Sequence, residues 1–121
     1  MSRFDVLAPS EFATAVAARP APFVVDVRDP AEYEAGHVPG SRSIPVHEIG
    51  RRRAELPTVR ITRILVVGDA EKRTHAAAAW FVLTGYADVG VLLGGFAAWT
   101  GDVEKGPPQP PPTRGPQLRV I

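Results

Sequence analysis

The sequence has 121 residues, 45% of them apolar, which suits one domain with a single core and excludes global disorder. Fourteen basic and thirteen acidic side chains give a formal charge of +1, which is no nucleic-acid footprint, and no apolar run reaches the roughly 18–20 residues of a membrane span. Cysteine is absent, which excludes disulfides, thiolate metal sites and any thiol or persulfide chemistry from these residues.

The opening stretch MSRFDVLAPSEF has no apolar signal core, because Asp5, Ser10 and Glu11 interrupt it, so a cytoplasmic location is expected. Phe4 to Leu7 reads as a short first strand. Pro9-Ser10-Glu11 opens a helical stretch with Phe12, Ala15 and Val16 on one face, ended by Pro20 and Pro22. Phe23 to Val27 is an apolar run broken by one acid, as in a strand covered on both faces. Asp29 is placed to N-cap a short helix with Pro30 at its first position. Ser41 to Pro45 reads as a short strand, and Val46 to Leu56 as a helix carrying Arg51, Arg52 and Arg53. Arg63 to Val67 is the clearest central strand. Arg73 to Thr84 is the strongest helix, stopped by Gly85 in the C′ position. Val89 to Leu93 is another buried strand, and Gly95 to Trp99 a last helical turn. Strands separated by helical segments of this length imply parallel pairing through crossovers: an α/β domain, five strands with helices on both faces.

From Glu104 the composition changes, and GPPQPPPTRGP favours an extended polyproline path. The chain therefore divides into a domain over residues 1–103 and a Pro-rich tail over 104–121. Within the tail, Gln117 to Ile121 alternates polar and apolar and is a candidate for docking as an edge strand.

Three stretches carry a family resemblance: Asp26-Val27-Arg28, then Glu32-Tyr33-Glu34-Ala35-Gly36-His37-Val38-Pro39-Gly40-Ser41, and later Gly94-Gly95-Phe96-Ala97-Ala98-Trp99. In this order and spacing the chain resembles a rhodanese-like domain, the sulfurtransferase fold, over roughly residues 4 to 101. The resemblance implies a three-layer domain with a five-stranded parallel sheet. It also implies a site where a central strand ends in a Cys-x-x-x-x-Arg loop leading into a helix. There the cysteine takes sulfane sulfur from a donor such as thiosulfate, and loop amides with the helix N-terminus stabilise the anionic persulfide.

Aligned on that arginine, Arg73 matches it and Thr74 matches the following Ser/Thr. The cysteine position then falls on Gly68, or on Asp69 after a one-residue slip. The loop Gly68-Asp69-Ala70-Glu71-Lys72-Arg73 keeps the length and the arginine without the nucleophile. Asp69 as a phosphoryl-accepting carboxylate is disfavoured for want of a ligand cluster. Asp69 and Glu71 oppose an anion unless turned outward, so one carboxylate capping the following helix is the preferred reading. Arg73 either faces a ligand or pairs with loop carboxylates.

Asp26 and Arg28 sit at a strand exit, either as pocket wall or as a pair bracing the loop to Glu32. His37 is expected to bond a backbone carbonyl. His47 and His75 form no metal spacing, so neither metal nor cofactor is expected. The three arginines are expected on a solvated face. Ala76 to Ala79 allow close helix–sheet approach, with Trp80 and Leu83 filling the core, Trp99 structural and Gly95 bordering the pocket. The expected function is binding or regulation by an inactive rhodanese-like domain engaging a protein partner. Two alternatives remain: sulfur transfer with a partner's cysteine, and sensing of a small anion at the loop. Neither a nucleic acid nor a membrane is expected as partner.

Overall fold

The computed structural model describes residues 3–69 and 71–110. Strand β1 (Asp5–Leu7), helix α1 (Pro9–Val16), β2 (Phe23–Asp26), α2 (Pro30–Ala35), β3 (Arg42–Ser43), β4 (Ile64–Val67), α3 (Glu71–Leu83) and β5 (Val89–Leu92) follow one another along the chain. The strands form one parallel sheet in the order β1-β5-β4-β2-β3, with β4 in the middle. This is the α/β architecture that the spacing of elements predicts. No helix among the described residues is long and apolar enough to cross a membrane.

The period of two along the strands builds both sides of the core. Ile64 and Val66 of β4 join Val25, Val91 and the α3 residues Ala77, Ala78 and Phe81 on one face. Leu65 and Val67 face the other way, against Phe12 and Ala15 of α1. Trp99 packs on that second face edge-on to Phe12, a structural position as expected.

Helix α2 begins as predicted. Asp29 is its N-cap, Pro30 its first residue, and the Glu32 carboxylate accepts the Asp29 N–H at 3.2 Å. Helix α3 ends in a Schellman motif around Gly85, whose φ is +106°. The Tyr86 N–H reaches the Phe81 carbonyl and the Gly85 N–H the Val82 carbonyl. Tyr86 packs edge-on against Phe81, which supplies the apolar contact of that motif.

Three expectations change. The single helix over Val46 to Leu56 is replaced by two short 3₁₀ turns, Val46–Glu48 and Arg53–Glu55. Gly50 lies mid-segment and Pro45 and Pro57 bound it, so the stretch is too short and too interrupted for a stable α-helix. The arginine face is not uniformly solvated: Arg52 is half-buried and donates to Glu48 and Glu55, while Arg42 also donates to Glu55. The guanidinium of Arg52 holds the Glu55 carboxyl below its ordinary value, with Arg42 adding to the effect. Finally, Leu83 does not fill the core but is 82% exposed, and Phe81 takes that role. The buried face of α3 runs through Thr74, Ala77, Ala78 and Phe81, and Leu83 lies about 200° around the helix from Phe81. Leu83→Ala is therefore expected to shift the urea unfolding free energy by no more than about 0.5 kcal/mol. A loss above about 2 kcal/mol, typical of a core leucine, would contradict this placement.

Residues 104–110, read from composition as the start of the tail, lie against the domain. Glu104 pairs with His37 in an antiparallel bridge, and the Gly106 N–H reaches the Glu34 carbonyl. The Gln109 amide donates to the Tyr33 hydroxyl and the Ser41 carbonyl. Burial pushes the Tyr33 phenol up, against the opposing effect of its hydrogen bonds with Gln109 and the Ser41 carbonyl. The candidate edge strand at residues 117–121 lies outside the described residues.

Candidate functional site

The middle strand β4 ends at Val67, and the chain crosses through Gly68 and Asp69 into α3, whose first residue is Glu71. This is the crossing expected from the loop's sequence; Ala70 lies outside the described residues. Three contacts set its shape. The Gly68 carbonyl accepts the Phe96 N–H at 2.8 Å. Gly95 has φ +68°, and a Cβ on it would come within 2.5 Å of the Gly68 oxygen, so only glycine fits there. On the other side, a Cβ on Gly68 would lie 1.9 Å from the Thr74 hydroxyl oxygen and 3.0 Å from the Thr74 Cβ. The volume in which a side chain at 68 would begin is filled by Thr74, a buried residue of the first turns of α3.

Arg73 is ion-paired. Its Nη2 donates to both Asp69 carboxylate oxygens, at 2.8 and 2.7 Å. Of the two acids expected to cap the helix, Asp69 is thus engaged by a guanidinium. Both side chains are substantially exposed, so Arg73→Ala is expected to cost at most about 1 kcal/mol in urea unfolding. A larger loss would mean that the pair holds the loop in place. The Glu71 side chain is 77% exposed, with His75 Nε2 4.0 Å from its carboxylate. Lys72 is exposed.

An open pocket of about 320 Å³ adjoins the loop, lined by Asp69, Glu71, Thr74, His75, the 91–95 turn and Val6. Gly95 borders it. Neither Lys72 nor Arg73 lines it, so among the described residues its ionisable groups are two carboxylates and one imidazole.

The remaining candidates divide. Asp26 is fully buried, and its carboxylate accepts Arg28 Nη2 at 2.7 Å and Arg28 Nε at 3.0 Å. Arg28 Nη2 also donates to the Gly36 carbonyl at 2.7 Å, and its guanidinium stacks 4.2 Å over the Phe96 ring. The pair braces the segment around Gly36 and Phe96 rather than Glu32, which is occupied at the α2 cap. His37 Nδ1 bonds the Tyr33 carbonyl at 2.7 Å and its ring stacks on Tyr33, the backbone-bonded role expected of it. Among the described residues no group of three His, Asp or Glu is placed to hold a metal ion.

Sequence reasoning missed Phe96, whose N–H and ring tie loop and Arg28 together, and the exposed aliphatics Val6 and Leu93 beside the pocket. The family motif contains Phe96 but gives no sign of its backbone bond. Nothing local marks Val6 or Leu93 as exposed.

A family model described as rhodanese-like domain matches residues 8–102. The chain is 39% identical over 80 residues to the thiosulfate sulfurtransferase GlpE of Pseudomonas paraeruginosa, covering 63% of this chain and 67% of that protein. To GlpE of Pseudomonas putida it is 36% identical over 103 residues, covering 82% and 87%. Among solved structures, the Alr3790 protein from Anabaena superposes with a TM-score of 0.72 at 27% identity, covering 82% of this chain and 81% of that one.

Proposed function

The chain belongs to the rhodanese-like domain family, and from that premise we propose that it is a member silent as a sulfurtransferase, working by binding a protein partner through the face that carries the Gly68–Thr74 loop. The observation that supports this most is the space at Gly68. Thr74 occupies the volume from which a nucleophile would project, in a chain with no cysteine to project there. The loop's arginine is also committed, since the Arg73 guanidinium lies on Asp69. Carboxylates line the adjoining pocket, which opposes thiosulfate and other small anions.

The purified chain, supplied with thiosulfate and cyanide, is expected to produce thiocyanate no faster than a heat-killed blank. Turnover above that blank, from protein free of contaminating thiols, overturns the proposal. The binding half is tested by affinity capture from cell extract with the wild-type chain and a Glu71→Lys, Lys72→Glu double variant. A protein retained by the first and lost by the second is the expected result. Identical retention would remove the loop face from the reading.

A further inference from the structure

The corner of the sheet between α3 and β1 is open. In the β1–β5 register Val6 sits beside Val91, so both side chains point to the face that α3 covers, and Leu93, in the turn just past β5, lines the same pocket. Over β4 and β5 that cover is apolar, through Ala77, Ala78 and Phe81. Toward the loop, α3 instead presents Glu71 and His75 to the pocket, and the aliphatic floor there stays accessible: Val6 is 44% and Leu93 50% exposed.

The rim of this groove has a definite sign. Asp69 is neutralised by Arg73, whereas among the described residues the cationic partner of the Glu71 carboxylate is His75, an ion pair only when the imidazole is protonated. Lys72 follows Glu71 directly, and adjacent residues do not share a helix face. An exposed carboxylate over an aliphatic floor rejects anions and favours a cation carried next to an apolar group.

The edge adds directionality. β1 ends the sheet, and the Leu7 carbonyl is taken by the Leu93 N–H at 2.9 Å. By the alternation of a parallel ladder, the N–H and C=O of Val6 then face away from β5, toward the open side.

We propose that this groove docks an extended peptide segment of a protein partner, with an aliphatic side chain against Val6 and Leu93 and a lysine or arginine two residues away against Glu71. The spacing follows from the strand period, because side chains at i and i+2 share a face. This names the partner chemistry for the binding role proposed above and rests on it.

The test titrates ¹⁵N-labelled chain with the peptide acetyl-Arg-Thr-Leu-Thr-Arg-amide, which reads the same for either strand direction. Amide shifts at Val6, His75, Leu93 and Gly94 are expected. Glu71→Arg should weaken binding roughly threefold to tenfold, the range of one exposed charge contact turned repulsive. Leu93→Asn should weaken it independently. Both residues are exposed, so both variants are expected to retain the fold, which the dispersion of their amide spectra checks. No shifts at millimolar peptide, or equal binding of acetyl-Glu-Thr-Leu-Thr-Glu-amide, overturns the proposal. A partner still captured by the Leu93→Asn and Glu71→Arg variants sinks the groove and leaves the binding role standing. Thiocyanate turnover removes the non-catalytic role, whatever the titration shows.

Discussion

Gly68→Cys is expected to destabilise the chain by about 1–3 kcal/mol and to leave thiocyanate production at the blank. The new Cβ would sit 1.9 Å from the Thr74 hydroxyl oxygen. Rotating χ1 of Thr74 does not solve the clash, because the Thr74 Cβ itself is 3.0 Å away and its methyl 3.2 Å. Backing the whole turn away is opposed by the Phe96 N–H on the Gly68 carbonyl and by the close approach of Gly95. In a domain of this size the loss corresponds to several degrees in Tm. The double variant Gly68→Cys, Thr74→Ala removes the hydroxyl and methyl, so it should recover part of the lost stability. Urea unfolding of the three proteins at one pH measures this. A single variant as stable as wild type would show that Thr74 yields freely, and that only the missing thiol separates this chain from its catalytic relatives.

Asp26→Ala is expected to cost more, about 3–5 kcal/mol, because it leaves a buried guanidinium without its counter-charge. Both side chains are almost wholly inaccessible, and among the described residues Arg28 would keep the Gly36 carbonyl and the Phe96 ring. Against a typical domain stability of about 5–15 kcal/mol, this is a large fraction. The companion variant Asp26→Ala, Arg28→Met removes both charges and should recover most of the loss, since a matched apolar pair avoids the unpaired ion. Unfolding midpoints in urea compare them. A loss under about 1 kcal/mol for Asp26→Ala would mean that the ion pair is solvated. The effect reaches the loop as well: Arg28 lies on the Phe96 ring, and the Phe96 backbone holds the Gly68 carbonyl. Amide shifts at Gly68 and Gly95 should therefore accompany the change.

The candidate site was legible where chemistry is written locally. Arg73 and Asp69 are four residues apart on the entry to a helix, a spacing that brings side chains together, and they do pair. The carbonyl-bonded His37 and the cap at Asp29 are likewise short-range. Leu83 was misplaced because an alanine-rich helix gives a weak apolar face. Ala76 to Ala79 suit either side, and only contact with β4 and β5 selects Phe81. The stretch Val46 to Leu56 forms two 3₁₀ turns in place of a helix because Gly50 interrupts it and Pro45 and Pro57 bound it, breaks that outweigh its helix-favouring arginines.

By itself, the sequence determined the family, the parallel α/β arrangement, the loop's position after a central strand, and the lack of any sulfur nucleophile. These follow from periodicity, local spacing and the presence or absence of an atom, none of which requires distances between remote segments. Tertiary structure alone decided that Thr74 fills the space beside Gly68, that residues 104–110 lie along Tyr33 and Ser41, and that Val6 and Leu93 are left open beside Glu71. Each of those depends on how closely separate elements pack, and a shift of one ångström in that packing would change which groups meet.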